Sequence, residues 1–330
     1  MKEILHKLFD GDLLTEKEAN NTLKEITSGN VNDVQVAAFL SVFNTRYPTT
    51  EEMIGFRKAM LEQAVPVNFH KQQTIDIVGT GGDGKDTFNI STLASLVCAG
   101  AGVKVTKHGN YSASSISGAS NVLEYLGVKF TANEKKLNQQ LDEANITFLH
   151  APLFHPAMKN VAHVRKQLQV KTIFNWLGPL VNPCQPTHHV IGVCEKDVAS
   201  LFTTVLNHAN TDFRIIYTED GYDEISLTAT AFSAKNGSKT HTHLTFEKLG
   251  FAKVQSKDIY GGTTIESNAK IFMDVLNGKG TTAQNNVVLA NAALAISLFE
   301  NFSYYTSVEV AKESLLNGKA LQSFNILKSI

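Results

Sequence analysis

Apolar positions recur at helical spacing through residues 1–62 and change period near residue 74. In EILHKLFDG the residues Ile4, Leu5, Leu8 and Phe9 share one face, and Gly11 ends the run. LTEKEANNTLKEITSG opens on Thr15 with Glu18 three residues on, the reciprocal pair that closes a helix start. NDVQVAAFLSVFNTRY and TEEMIGFRKAMLEQA predict two further amphipathic helices, the second capped by Thr50. Four short helices with no strand among them make a small helical subdomain.

From residue 74 short apolar runs alternate with helical patterns. TIDIVG, VKVTKHG and TFLHA read as strands, separated by STLASLVCAGAG, ASNVLEYLG and NEKKLNQQLDEANI as helices. PAMKNVAHVRKQLQV predicts another helix, and FNWLGPLVNPCQP, with three prolines and a glycine, breaks regular structure. HVIGVC, FRIIYT and EISLTA then resume the strand pattern around the helix VASLFTTVLNHA. A β-rich stretch over 228–247 precedes C-terminal helices such as AQNNVVLANAALAISLFEN. This alternation predicts an α/β fold with a mainly parallel central sheet beside the helical part. No internal repeat or low-complexity tract interrupts it.

Composition narrows the partners. Thirty basic against 31 acidic residues give a formal net charge of −1, so no global positive field exists to hold nucleic acid or an anionic membrane. Any polyanion must be bound locally. Three cysteines, Cys98, Cys184 and Cys194, form neither a disulfide framework nor a zinc pattern and read as reduced thiols in or beside apolar segments. The N-terminus MKEILHKLFDGDLLTEKEA is charged and amphipathic, without the apolar core of a signal peptide, and no apolar stretch reaches the length of a membrane span. A cytoplasmic protein is expected.

The candidate chemistry starts at DIVGTGGDGKDTFNIST, residues 76–92, where Gly79, Gly81, Gly82 and Gly84 separate a strand from a helix start near Asn89–Ser91. Glycines let another group approach the backbone, and bare amides beside a helix N-terminus make a concave donor surface for an anion. Phosphate is the guest this predicts. The spacing is not a P-loop, because Gly84-Lys85 is followed by Asp86 instead of Ser or Thr, and GxGxxG over Gly79, Gly81 and Gly84 is weak on its own. Asp83 and Asp86 would repel phosphate unless a cation intervenes or they bond sugar hydroxyls. VTKHGNYSASSISG then places Lys107, His108, Asn110, Ser112, Ser114 and Ser115 at the carboxyl end of the next strand. Two such loops in consecutive β–α units meet in one crevice and suit a ligand with several phosphates. In EDGYDEIS the neighbours Asp223 and Glu224 form either a solvated acidic turn or, beside a phosphate, a site for Mg²⁺. Arg165, on the HPAMKNVAHVRKQL helix, is either a snorkelling edge residue or a planar clamp for a carboxylate.

Together these stretches resemble the anthranilate phosphoribosyltransferase family, within the nucleoside phosphorylase-like phosphoribosyltransferases. DIVGTGGDGKDTFNIST, KHGN, SSISG, LEYLGV, HPAMKNV, KTIFNWLGPLVNP, DGYDEIS and LANAALA occur in that family's order over nearly the whole chain. The resemblance implies a helical domain over 1–70, rejoined by roughly 160–190, and an α/β catalytic domain over 71–159 and 191–330. It implies transfer of the phosphoribosyl group of phosphoribosyl pyrophosphate (PRPP) to the amine of anthranilate, with Mg²⁺, in a homodimer. Gly79, Gly82, Asp83, Thr87, Asn89, Ile90, Ser91, Thr92, Lys107, His108, Gly109, Asn110, Ser114 and Ser115 would bind PRPP. Ser91, Asp223 and Glu224 would hold the metal, and Gly79, His108, Asn110 and Arg165 would meet anthranilate. An aromatic amine is neutral at pH 7, so no side chain is assigned as general acid or base. Departures from the family's pattern are Tyr111 for arginine, Ile116 for lysine, Ala119 for serine, Asn121 for aspartate, Gln169 for glycine and Lys171 for arginine. Tyr111 and Ile116 remove two positive charges from a loop expected to embrace pyrophosphate. The competing readings are a pyrimidine nucleoside phosphorylase, which shares GTGGD and KHGN, and a non-catalytic nucleic-acid-binding relative, which the balanced charge disfavours.

Overall fold

The computed structural model describes residues 1–69, 72–112, 118–238 and 240–330. It divides into two compact units, Met1–Val67 with Ala151–Gln185, and Asn68–His150 with Pro186–Ile330.

The first unit is helical. It holds α1 (Lys2–Phe9), α2 (Glu16–Thr27), α3 (Asp33–Thr45) and α4 (Thr50–Glu62), and on the chain's return α8 (Ala151–Phe154), α9 (Lys159–Leu168) and α10 (Ile173–Leu177). Thr15 and Glu18 close the start of α2 as the pattern predicts. The start of α4 is capped by Thr49, not Thr50, because Glu52 reaches back to the Thr49 amide at 2.8 Å while its own amide finds the Thr49 hydroxyl. Glu52 is fully buried, yet it also accepts from the Leu14 amide and the forked guanidinium of Arg46. Burial pushes its carboxyl up, and those donors outweigh it and hold it below the usual range. Phe39, Phe43 and Phe56 pack edge to face in the core between α3 and α4.

The return segment begins at Ala151, earlier than residue 160, because the third strand ends at His150 and turns directly into α8. The Phe154 carbonyl there takes the Val65 amide at 2.8 Å, and Asn160 donates to the Thr27 carbonyl at 2.7 Å. FNWLGPLVNPCQP is more ordered than its prolines suggest. Thr172 and Asn175 cap the short α10, and a 3₁₀ turn, Gly178–Leu180, follows.

The second unit is built on seven strands, β1 (Ile75–Gly79), β2 (Val105–Gly109), β3 (Ile146–His150), β4 (His188–Gly192), β5 (Asp212–Thr218), β6 (Ala231–Lys235) and β7 (Thr242–Leu244). Their order is β3-β2-β1-β4-β5-β6-β7; the first five are parallel, and β6 and β7 run antiparallel at one edge. The helices are α5 (Ile90–Gly100), α6 (Ala119–Tyr125), α7 (Glu134–Ala144), α11 (Lys196–Asn207), α12 (Phe246–Leu249), α13 (Ile265–Leu276), α14 (Thr282–Glu300), α15 (Tyr304–Leu316) and α16 (Lys319–Ser329). Helices α5 and α14 are apolar nearly all round because both lie inside the core, with Leu93, Leu96, Val97, Val288 and Ile296 buried. Each such side chain contributes about 1.5–3 kcal/mol on burial. Among the described residues no single helix is long and apolar enough to cross a membrane; the bent pair α14–α15 has the length and composition, but α14 is this core helix.

EISLTA is not a strand. Ile225, Ser226 and Leu227 are buried, yet Leu227 takes a positive φ of 59° and the segment joins no ladder. Asn291 on α14 stands in for a strand partner, donating to the Ile225 carbonyl at 2.9 Å and accepting its amide at 3.0 Å.

Candidate active site

Strand β1 pairs with β2 on one side and β4 on the other, so the chain's direction across the sheet reverses there. In an open α/β sheet the crevice beyond the carboxyl ends at such a point receives ligands. The loop from Thr80 to Asn89 starts at that place. Gly81, Gly82, Gly84 and Asp86 all take positive φ, between 49° and 73°, which bends the backbone tightly.

The acidic turn lies directly against this loop. Gly79 and Gly192 are register partners at the ends of β1 and β4. A Cβ on Gly79 would strike the Asp223 carboxylate, and one on Gly192 would strike the Asp223 carbonyl. Two glycines side by side therefore make the space in which Asp223 crosses the sheet's end. Its Oδ2 accepts the Gly81 amide at 2.7 Å, and the Thr80 amide bonds the Gly192 carbonyl at 2.9 Å.

The carboxylates here bear on one another's charge. Burial, then the negative charges of Asp223 and Asp83, raise the Glu224 carboxyl well above the ordinary range, against the Thr87 hydroxyl and the Lys107 charge. Burial also raises Asp83, whose Oδ1 accepts the Lys85 amide at 3.0 Å. Glu224 Oε1 and Asp83 Oδ2 are buried without a hydrogen-bond partner. Lys107 is buried beneath them, its Nζ donating to the Ile77 carbonyl and to Ser91 Oγ. Burial holds its ammonium down to about 8 against the pull of Asp76, Asp223 and Glu224. One lysine faces several carboxylates. A divalent cation fits this donor set, being a hard ion for hard oxygens. Among the described residues no three His, Cys, Asp or Glu side chains are arranged to hold a metal by themselves, so water and ligand oxygens would complete its shell.

Of the residues singled out in the sequence, Gly79, Asp83, Thr87, Ser91, Lys107, Asp223 and Glu224 come together here. Gly82 lies in the bend of the loop, and Asn89 precedes the first turn of α5. Thr92 Oγ1 is buried without a hydrogen-bond partner. Ile90 turns its side chain into the core and its amide to the Phe88 carbonyl. Gly109 admits the ring of Phe148, whose nearest carbon would lie 2.5 Å from an added Cβ. His108 is buried, with its amide on Asp76 Oδ1 at 3.2 Å. Asn110 is exposed, and its Oδ1 accepts the following amide at 2.8 Å. Ser114 and Ser115, with Ile116, lie outside the described residues. Arg165 belongs to the helical unit, half-buried over the Phe174 ring at 5.3 Å.

Two departures acquire reasons. Tyr111 donates its hydroxyl to Glu124 at 3.2 Å and sets its ring edge-on to His150, which stacks on Phe130. Asn121 Oδ1 accepts both the Ser112 and Gly118 amides at 3.0 Å, which an aspartate oxygen at that place would equally accept. Sequence reasoning missed Asp76, Lys85, Gly192 and Tyr222. Only Gly192 left a signal, since HVIG repeats the strand-then-glycine pattern of DIVG.

A mainly parallel sheet with a glycine loop held against carboxylates at its carboxyl end, in a chain that also carries a helical unit, defines the class. Family models for the glycosyl transferase family match the α/β domain over residues 71–321 and the helical bundle domain over residues 2–64. Within that class the chain belongs to the anthranilate phosphoribosyltransferase family. It is 49% identical to the anthranilate phosphoribosyltransferase of Flavobacterium psychrophilum over 330 residues, all of this chain and 99% of that one. It is 47% identical to that of Christiangramia forsetii over the same span. Among solved structures, anthranilate phosphoribosyltransferase from Thermus thermophilus superposes with a TM-score of 0.92 at 33% identity, covering 98% of each chain. The Saccharomyces cerevisiae enzyme in complex with PRPP and Mg gives 0.90 at 27% identity, covering 98% of this chain and 96% of that one.

Proposed function

We propose that this chain transfers the phosphoribosyl group of PRPP to the amine of anthranilate, releasing pyrophosphate and N-(5-phosphoribosyl)anthranilate for tryptophan biosynthesis. The observation that carries this is the placement of Asp223 and Glu224 against the phosphate-binding glycine loop. Carboxylates repel a diphosphate unless a cation bridges them, and Glu224 Oε1 is buried without a partner. The anthranilate phosphoribosyltransferase family supplies the substrates that such a site fits.

In this reading the glycine-loop amides of Gly79, Gly82 and Asp83, with Thr87, Asn89, Ile90, Ser91 and Thr92, hold the phosphates. Lys107, His108, Gly109, Asn110, Ser114 and Ser115 extend that site. Asp223 and Glu224, helped by Ser91 Oγ, hold Mg²⁺. When bound, Mg²⁺ neutralises charge on the departing pyrophosphate. The loop amides donate to the same oxygens, so negative charge leaves the anomeric carbon without meeting unscreened carboxylates. The family resemblance assigns Gly79, His108, Asn110 and Arg165 to anthranilate, and a guanidinium's planar fork matches a carboxylate. Aligning two reactants lowers the barrier, and because the attacking amine is already neutral no proton need leave before the C–N bond forms; the nitrogen then sheds one proton to water or the departing pyrophosphate. His108→Ala is therefore expected to lose only a small factor in kcat. A loss near 10⁴-fold, the upper range for a general base, would remove this mechanism.

The protein acts in the cytoplasm as a homodimer through its helical unit, where Phe9, Leu13 and Val34 stand exposed. The reaction is tested by following anthranilate fluorescence with and without PRPP and Mg²⁺. Consumption that needs both supports the assignment. Cleavage of thymidine by phosphate, with anthranilate untouched, would replace it by a nucleoside phosphorylase.

A further inference from the structure

Lys85 has no part in the reading above. It sits in the middle of the glycine loop with its Nζ over the ring of Tyr222, 5.0 Å from the centroid. Tyr222 is buried, immediately before Asp223 and Glu224, and its hydroxyl is engaged by Ser256. The two loops thus meet at three successive places: the Gly81 amide on Asp223, the Lys85 ammonium on Tyr222, and the Thr87 hydroxyl on Glu224. The outer two are hydrogen bonds to the carboxylates themselves. Between them Gly84 and Asp86 take positive φ, so the backbone alone leaves this stretch loosely specified.

We propose that Lys85 is a positioning residue, which clamps the glycine loop onto Tyr222 and so fixes the gap between the phosphate-binding amides and the metal-binding carboxylates. The inference rests on the assigned diphosphate site. A cation over an aromatic face contributes about 0.5–2 kcal/mol, and here it adds to the hydrogen bonds on either side of it. The Lys85 amide also donates to Asp83 Oδ1 at 3.0 Å, so one residue touches both edges of the gap.

Four variants test it, Lys85→Met, Lys85→Arg, Tyr222→Phe and Tyr222→Leu. Lys85→Met is expected to raise the KM for PRPP about tenfold, within the range of one cation–π contact, and to leave kcat within about twofold. Arginine at 85 and phenylalanine at 222 keep the stacked pair and should restore KM to near the parent value. Tyr222→Leu should match Lys85→Met, and the double variant should be no worse than either. Calorimetric titration with magnesium pyrophosphate should show the same loss of affinity without catalysis. In ligand-free protein, Lys85→Met should speed hydrogen exchange of amides 81–86, which a purely direct lysine–phosphate contact would not do. This last measurement decides the matter if Tyr222→Leu fails to fold. Unchanged magnesium pyrophosphate affinity in Lys85→Met, unchanged exchange, or effects that multiply in the double variant would overturn the proposal. Parent protein that binds magnesium pyrophosphate but leaves anthranilate unconsumed would sink the assigned reaction while leaving Lys85 testable.

Discussion

Gln169 closes α9 in the left-handed region at φ 54°, where a Cβ is crowded. Gln169→Gly is expected to stabilise the protein by up to about 1 kcal/mol, read from the urea midpoint. Glu224 gives the pH dependence. Its folded-state carboxyl is raised, so the folded protein holds that proton more tightly than the unfolded chain does. The resulting destabilisation begins as pH climbs past the ordinary value of 4.5 and is complete above the raised one. Glu224→Gln should therefore raise Tm at pH 8 without magnesium, leave it unchanged near pH 3 where both forms are neutral, and lose magnesium-dependent PRPP binding. Much at this scale could be read in advance, because glycine runs and paired acids announce themselves by type. Asp76 and Tyr222 could not, since a buried aspartate in a strand and a tyrosine in a turn look ordinary until their neighbours are known.

At the scale of elements, the acidic turn owes its shape to a helix elsewhere in the chain. Asn291 supplies the donor and acceptor that a neighbouring strand would otherwise give Ile225. Asn291→Ala leaves both backbone groups buried and unpaired, at about 1–3 kcal/mol each. Denaturant unfolding should show that loss, with Mg²⁺ affinity falling alongside it. The alternation in EISLTA pointed to a strand because its apolar residues are buried as a strand's would be. The positive φ at Leu227 and the distant Asn291 carry no local signature. The parallel strands themselves were legible because short apolar runs between helical periods have few other uses. The Thr49 cap was missed by one residue because adjacent threonines compete and only the position of Glu52 decides between them.

For the whole molecule, Phe9, Leu13 and Val34 place exposed apolar surface on the helical unit. The proposed dimer predicts that Val34→Glu shifts sedimentation toward monomer, while Lys257→Glu, an exposed position on the α/β unit, leaves it unchanged. In the proposed reading, Tyr111 and Ile116 in place of cationic residues either weaken PRPP binding or leave more of the diphosphate to Mg²⁺ and Lys107. PRPP affinity should accordingly fall steeply as magnesium is withdrawn, measured by titration against chelator. The twin glycines at 79 and 192 carry a further consequence for anyone diversifying this scaffold. Each vacancy is shaped by the same aspartate, so alanine at either position forces overpacking worth about 1–3 kcal/mol and displaces the acidic turn. In a saturation library glycine should dominate at those two codons, most strictly at 192, where the obstacle is backbone and not the end of a side chain.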